Sequence, residues 1–96
     1  MISQPMAGKT EQQIREERAK LVAYLTEKGY EVVDTVLPDY IEGKSIPLKY
    51  LAKSIGYIAD VDCVYFMSGW IAARGCRIEH QCCVDYGIET AYSSPF

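Results

Sequence analysis

Long apolar runs are missing from this chain, so no segment is expected to cross a bilayer, where about 20 consecutive apolar residues are needed. An excess of basic charge is missing too. Ten lysines and arginines face 13 aspartates and glutamates, a net charge of −3, which gives no electrostatic case for binding a nucleic acid polymer. Histidine occurs once, and no cysteine–histidine spacing of the usual zinc type is present, so neither a metal nor a resident cofactor is expected. The four cysteines, Cys63, Cys76, Cys82 and Cys83, contain no Cys-x-x-Cys pair. No basic segment leads into an apolar one near the amino terminus, so a signal peptide is not expected. Reduced thiols in a cytoplasm follow from that reading. Internal repeats and low-complexity segments are also absent.

What is present is a sequence of 96 residues with 49% hydrophobic content, enough for one globular domain, residues 1–96, with a thin core. Its organising stretch begins with the apolar run Cys63–Met67, short and closed by Ser68-Gly69, which reads as a buried strand. Gly75 is expected to let the backbone turn tightly. After it, Ile78, Cys82 and Tyr86 recur every four residues, so the segment reads as a helix, stopped by Gly87. Strand, glycine-containing loop and helix follow one another. In an open parallel sheet such a loop sits where ligands bind.

The rest of the chain repeats the alternation. Met1-Ile2 reads as a strand stub and Ser3–Lys9 as a loop. Thr10 reads as a helix N-cap with Gln13 completing a capping box. That helix runs to about Lys28 on a buried stripe of Ile14, Arg18, Leu21, Val22 and Leu25, and Gly29 ends it. Residues 31–36 read as a second strand. Pro47 opens a second helix whose apolar face is Leu48, Leu51, Ile55 and Ile58. Ile88–Tyr92 reads as the last strand. The order β-α-β-α-β-α-β predicts a small α/β domain. It would be a doubly wound, Rossmann-like or flavodoxin-like parallel sheet of about four strands with helices on both faces. Open edges and apolar faces in so small a sheet predict a homodimer or higher oligomer.

Four groups of residues carry possible chemistry. The strand-to-helix loop offers Lys9, the hydroxyls of Ser3 and Thr10, and backbone N–H groups at a helix start, a cradle for a phosphate or ribose. Gly8-Lys9-Thr10 matches the end of a P-loop, but that motif needs glycine where Ser3 stands, which excludes an NTPase of that type. Against the cradle stands an ordinary strand-to-helix turn. Glu79 lies near a helix start, where the dipole favours an ionised carboxylate fit to be a nucleophile or general base. Against that stands a solvated glutamate paired with an arginine. Cys76 and His80, four apart, read as a thiol–imidazole pair, half a metal site, or a packed and hydrogen-bonded histidine, the last being the commoner case. Trp70 reads as an exposed platform for a nucleobase or an anchor at a subunit interface.

Three segments carry a resemblance: Ile2-Ser3-Gln4-Pro5-Met6-Ala7-Gly8-Lys9; Ala59-Asp60-Val61-Asp62-Cys63-Val64-Tyr65-Phe66; and Gly69-Trp70 with Arg74-Gly75-Cys76-Arg77-Ile78-Glu79. Together they resemble the small DUF4406 proteins of phages and bacteria, which are similar to nucleoside 2-deoxyribosyltransferases and nucleotide N-glycosidases. The resemblance implies a cytoplasm, bacterial or of a phage-infected host. It implies that Glu79 attacks the anomeric carbon. It implies a nucleoside or nucleotide ligand held by Ser3, Gln4, Pro5, Met6, Ala7, Gly8 and Lys9 and by Gly69, Trp70, Arg74, Gly75 and Cys76. It also implies a site completed by a second copy. Two departures stand out. Gln81 and Cys83 occupy positions where those enzymes carry small residues, and their catalytic aspartate falls on Ser54, leaving Asp60 and Asp62 as candidate acids. Without that acid, a protein that binds and sequesters a nucleotide, an ADP-ribose-like signal for example, is the alternative to an enzyme.

Overall fold

The computed structural model describes residues 1–6, 8–33 and 46–93. Three strands, β1 (Ile2–Ser3), β2 (Cys63–Phe66) and β3 (Glu89–Tyr92), form a parallel sheet in the order β1-β2-β3. Three helices, α1 (Glu11–Glu27), α2 (Ile46–Ile58) and α3 (Arg74–Tyr86), lie between them in the chain, with a short 3₁₀ turn at Trp70–Ala72. The expected α/β parallel fold is therefore found. Of the expected second strand, residues 31–33 are not in a strand and 34–36 lie outside the described residues.

Register assigns the faces. Ile2 pairs with Tyr65 and Ser3 with Phe66, so each pair points to one side of the sheet. Phe66 and Val64 are fully buried and pack with Met1, Ile58 of α2, and Cys76 and Cys83 of α3. Those two helices thus cover the Ser3–Phe66 side. Ile2, also buried, lies outside that cluster and points the other way. On that side α1 is tied to the strand end by Gln4, whose Nε2 donates to the Ile14 carbonyl at 2.8 Å.

The ends of α1 match the expectation from sequence. Thr10 Oγ1 accepts from the Gln13 N–H at 3.1 Å, and Gln13 Oε1 accepts from the Thr10 N–H at 2.9 Å. Such a cap contributes about 1 kcal/mol. Arg18 and Leu25 are buried, flanked by half-buried Ile14, Leu21 and Val22, which is the stripe predicted.

α3 corrects the expectation. Its buried face is Cys76, Glu79 and Cys83, not Ile78, Cys82 and Tyr86. Ile78 is 38% exposed and Tyr86 82%. Both patterns fit the helical period, and only the sheet decides which one turns inward. Gly75 is not a turn residue either, because α3 begins one residue before it. The tight turn falls on Gly69, at φ 90°. On α2 the expected inward Leu48 is 61% exposed, while Ile58 is buried.

Candidate functional site

The carboxyl ends of β1 and β2 lie side by side, and both following loops leave from there. The loops touch: a Cβ added to Gly69 would lie 3.7 Å from Pro5 Cγ. Ser3, at the end of β1, projects on the α3 side, where it meets Cys76 and Glu79 on successive turns of the helix. Glu79 is 8% exposed and Ser3 1%. The Ser3 hydroxyl lies beside both the carboxyl and the thiol and acts on each electrostatically, yet makes no hydrogen bond of good geometry. One residue on, Gln4 Oε1 is likewise buried without a hydrogen-bond partner. Buried polar atoms are nearly always paired, so two such atoms in succession are exceptional.

Burial raises the Glu79 pKa to about 7, with the Ser3 hydroxyl pulling it the other way. The expected dipole effect does not prevail. Glu79 is the sixth residue of α3, and the dipole fades beyond the first turn. At neutral pH the carboxyl is therefore shared between its charged and neutral forms. A carboxyl in that range can give or take a proton at working pH, and its charged form can attack an electrophilic carbon.

The other expected site residues divide. Pro5 is half-buried between the loops, Met6 and Gly8 are exposed, and Ala7 lies outside the described residues. Lys9 is committed to Glu17 at 2.8 Å, and Thr10 to the helix cap, so two of the three side chains expected to cradle a phosphate have partners already. Arg74 is exposed at the first position of α3, followed by the half-buried Gly75. Asp60 and Asp62 precede β2 and stand at its opposite end, about 3.3 Å per residue away along the strand. The structure does not bring them to Glu79.

Trp70 corrects the expectation of an exposed platform: it is 6% exposed and belongs to the core. It stacks on His80 with centroids 4.3 Å apart, and Phe66 meets both rings. His80 Nε2 and the Tyr92 hydroxyl are hydrogen-bonded at 2.7 Å. His80 is thus a packed, hydrogen-bonded histidine. Sequence alone did not reveal this aromatic cluster, since it depends on the pairing of Phe66 with Tyr92 across the sheet. Burial and the neighbouring Glu79 push the Cys76 thiol upward, against the opposing pull of Ser3 and Lys9, so it is no activated nucleophile. Burial likewise holds Cys83 up to about 11. All four cysteines are free thiols.

Among the described residues no three histidine, cysteine, aspartate or glutamate side chains converge as a metal site, and no helix is long and apolar enough to cross a membrane. A shallow hollow of about 400 Å³ lies on the face of α1 formed by Glu11, Gln12, Arg15, Glu16 and Ala19. It is one side of a single solvated helix, with Arg15 already paired to Glu11, and nothing converges on it.

No curated protein and no solved structure matches the chain. One family model does, over residues 1–92, nearly the whole length and every residue of the site just described. The chain therefore belongs to the family described as a domain of unknown function, DUF4406.

Proposed function

We propose that the protein binds a nucleoside or nucleotide at the carboxyl ends of β1 and β2, and that Glu79 attacks the carbon of the N-glycosidic bond. The observation that carries this reading is a carboxyl buried at the carboxyl ends of a parallel sheet, with a pKa of about 7, beside the buried Ser3 hydroxyl, which makes no hydrogen bond of good geometry. The sequence resemblance of the Glu79 segment to nucleoside 2-deoxyribosyltransferases supplies the reaction class. The ionised carboxylate forms a bond to the anomeric carbon, and the carbon–nitrogen bond breaks with its electron pair leaving on the base. The base takes up a proton from solvent water, and the attacking water or base of the second step gives one back. Water or a second base then attacks the glycosyl ester and frees Glu79. Incubating the protein with nucleosides and nucleotides, then separating the products by chromatography, tests this. Release of free base supports it, and an intact pool removes the catalytic step.

One observation favours sequestration as a second reading. With Asp60 and Asp62 at the far end of β2, neither stands ready to protonate the departing base, and a missing acid lowers the rate by about 10²–10⁴-fold. Such a protein would return its ligand unchanged after denaturation.

The outer surface bears on assembly. Ile71, Ile78, Val84 and Tyr86 are 50%, 38%, 60% and 82% exposed, on the 3₁₀ turn and on α3. The proposed function includes self-association, and light scattering at micromolar concentration is expected to give a dimer or larger. A monomeric mass would remove the model of a site shared between copies.

A further inference from the structure

Three places in the molecule have chemistry to spare: the hollow on α1, the His80–Tyr92 aromatic cluster, and the end of β1. The first is a solvated helix face, and in the second His80 and Tyr92 are already bonded to each other. The third has atoms to spare. Ser3 Oγ and Gln4 Oε1 are both buried, both without a hydrogen-bond partner, and adjacent in the chain. Gln4 lies on the other side of the sheet, its Nε2 held by the Ile14 carbonyl of α1 at 2.8 Å, so the wall beside Glu79 is Ser3 alone. The Glu79 carboxylate is an acceptor, and Ser3 can both accept and donate. This wall is matched by a group that donates to the carboxylate and accepts from the hydroxyl. A phosphate brings acceptors only. A base edge brings donors, but in the proposed reaction the base departs from the face of the sugar opposite the attacking carboxylate. Sugar hydroxyls bring both donor and acceptor, and they sit on the ring that Glu79 must touch.

Resting on the proposed function, we infer that the sugar seated against Ser3 and Glu79 carries a free hydroxyl on the carbon next to its anomeric carbon, so that the preferred ligand is a ribosyl and not a 2-deoxyribosyl compound. If one Glu79 oxygen faces the anomeric carbon, the adjacent ring position comes over the neighbouring wall, and that wall is Ser3. The hydroxyl donates to the carboxylate and accepts from Ser3 Oγ. A ligand without it enters with the Ser3 hydroxyl still unpaired, the costly case for a buried polar group. The resemblance to enzymes acting on 2-deoxyribosyl compounds leads to the opposite expectation. The distinction here comes from Ser3 and its lack of a partner.

Titration calorimetry with the common ribonucleosides and ribonucleotides and their 2-deoxy counterparts tests the inference. The ribosyl member of a bound pair is expected to bind about 10- to 100-fold more tightly. Ser3→Ala is expected to remove most of that preference by weakening the ribosyl compound and leaving the deoxy compound nearly unchanged. Thermal unfolding of the free variant verifies that it folds; should it not, the wild-type preference alone decides. Equal binding of both sugars, or a preference for the deoxy sugar, overturns the inference and leaves the proposed function standing. A ribosyl preference that survives unchanged in a folded Ser3→Ala also overturns it. Binding of no member of either series removes the inference together with the reading beneath it.

Discussion

Glu79→Gln is expected to abolish release of base from any nucleoside or nucleotide the wild type cleaves, a loss of at least about 10²–10⁴-fold. The change keeps the size of the side chain and its ability to hydrogen-bond, and removes only the attacking charge. Ligand affinity is expected to fall far less, by the worth of one altered hydrogen bond, about 1–3 kcal/mol. The signature is therefore a collapse of kcat with a modest change in binding. Because only the ionised form attacks, kcat/KM of the wild type is expected to rise with pH through about 7, where burial has moved the Glu79 carboxyl. A Glu79→Gln protein that still releases base at the wild-type rate would remove Glu79 from the chemistry. A wild type that never releases base, yet binds, would leave the sequestering protein.

The second large effect is on stability, and needs no ligand. In the unfolded chain the Glu79 carboxyl gives up its proton near 4.5, and in the folded protein near 7. Between those values the folded state holds one proton more than the unfolded state, so stability falls as pH rises. At about 1.36 kcal/mol per pH unit the loss from this one group amounts to roughly 3 kcal/mol by pH 8. Glutamine mimics the protonated form at every pH. Glu79→Gln and wild type are therefore expected to unfold alike at pH 4, with the variant more stable by about 2–3 kcal/mol at pH 8. In a domain of this size each kcal/mol moves Tm by about 4–8 °C. Denaturant titrations of both proteins at several pH values measure the difference directly. Parallel curves across that range would mean that Glu79 is solvated in the folded protein. The two predictions run in opposite directions on one side chain. The buried carboxyl weakens the fold at neutral pH, and the proposed chemistry gives a reason for its presence there.

How much of this was legible in the sequence depends on how local the determining physics is. The capping box of Thr10 and Gln13, the stripe from Ile14 to Leu25 and the stop at Gly29 were all readable, because each involves neighbours within a few residues. The strand Cys63–Phe66 and the cap at Gly87 were readable for the same reason. The inward face of α3 was not. Ile78, Cys82 and Tyr86 make the more apolar stripe, and hydrophobicity alone prefers it. The sheet instead accepts Cys76, Glu79 and Cys83, which brings a carboxyl inside. Trp70 was misplaced outward because a loop residue carries no periodicity to show its direction. Glu79 was singled out as a side chain to watch, but its charge state was read from the dipole of its helix. Its depth beside Ser3 belongs to a contact between residues far apart in the chain, and burial there reverses the direction of the shift.

That same separation has a consequence for how the molecule is made. β1 finds its hydrogen-bonding partner only in β2, so Ile2 and Ser3 are synthesised long before Tyr65 and Phe66 exist to receive them. Among the described residues the sheet contains no hairpin, since both of its pairings are parallel and each requires a completed crossover. Chains of such topology fold slowly for their size, because the entropy of loop closure is spent before any pairing returns it. Until then the apolar strand segments are exposed to other nascent chains. The wall formed by Ser3 and Glu79 comes together only when the first of these crossovers has closed and α3 has docked. A ligand of this site cannot guide the early stages of folding; it can only hold the finished product.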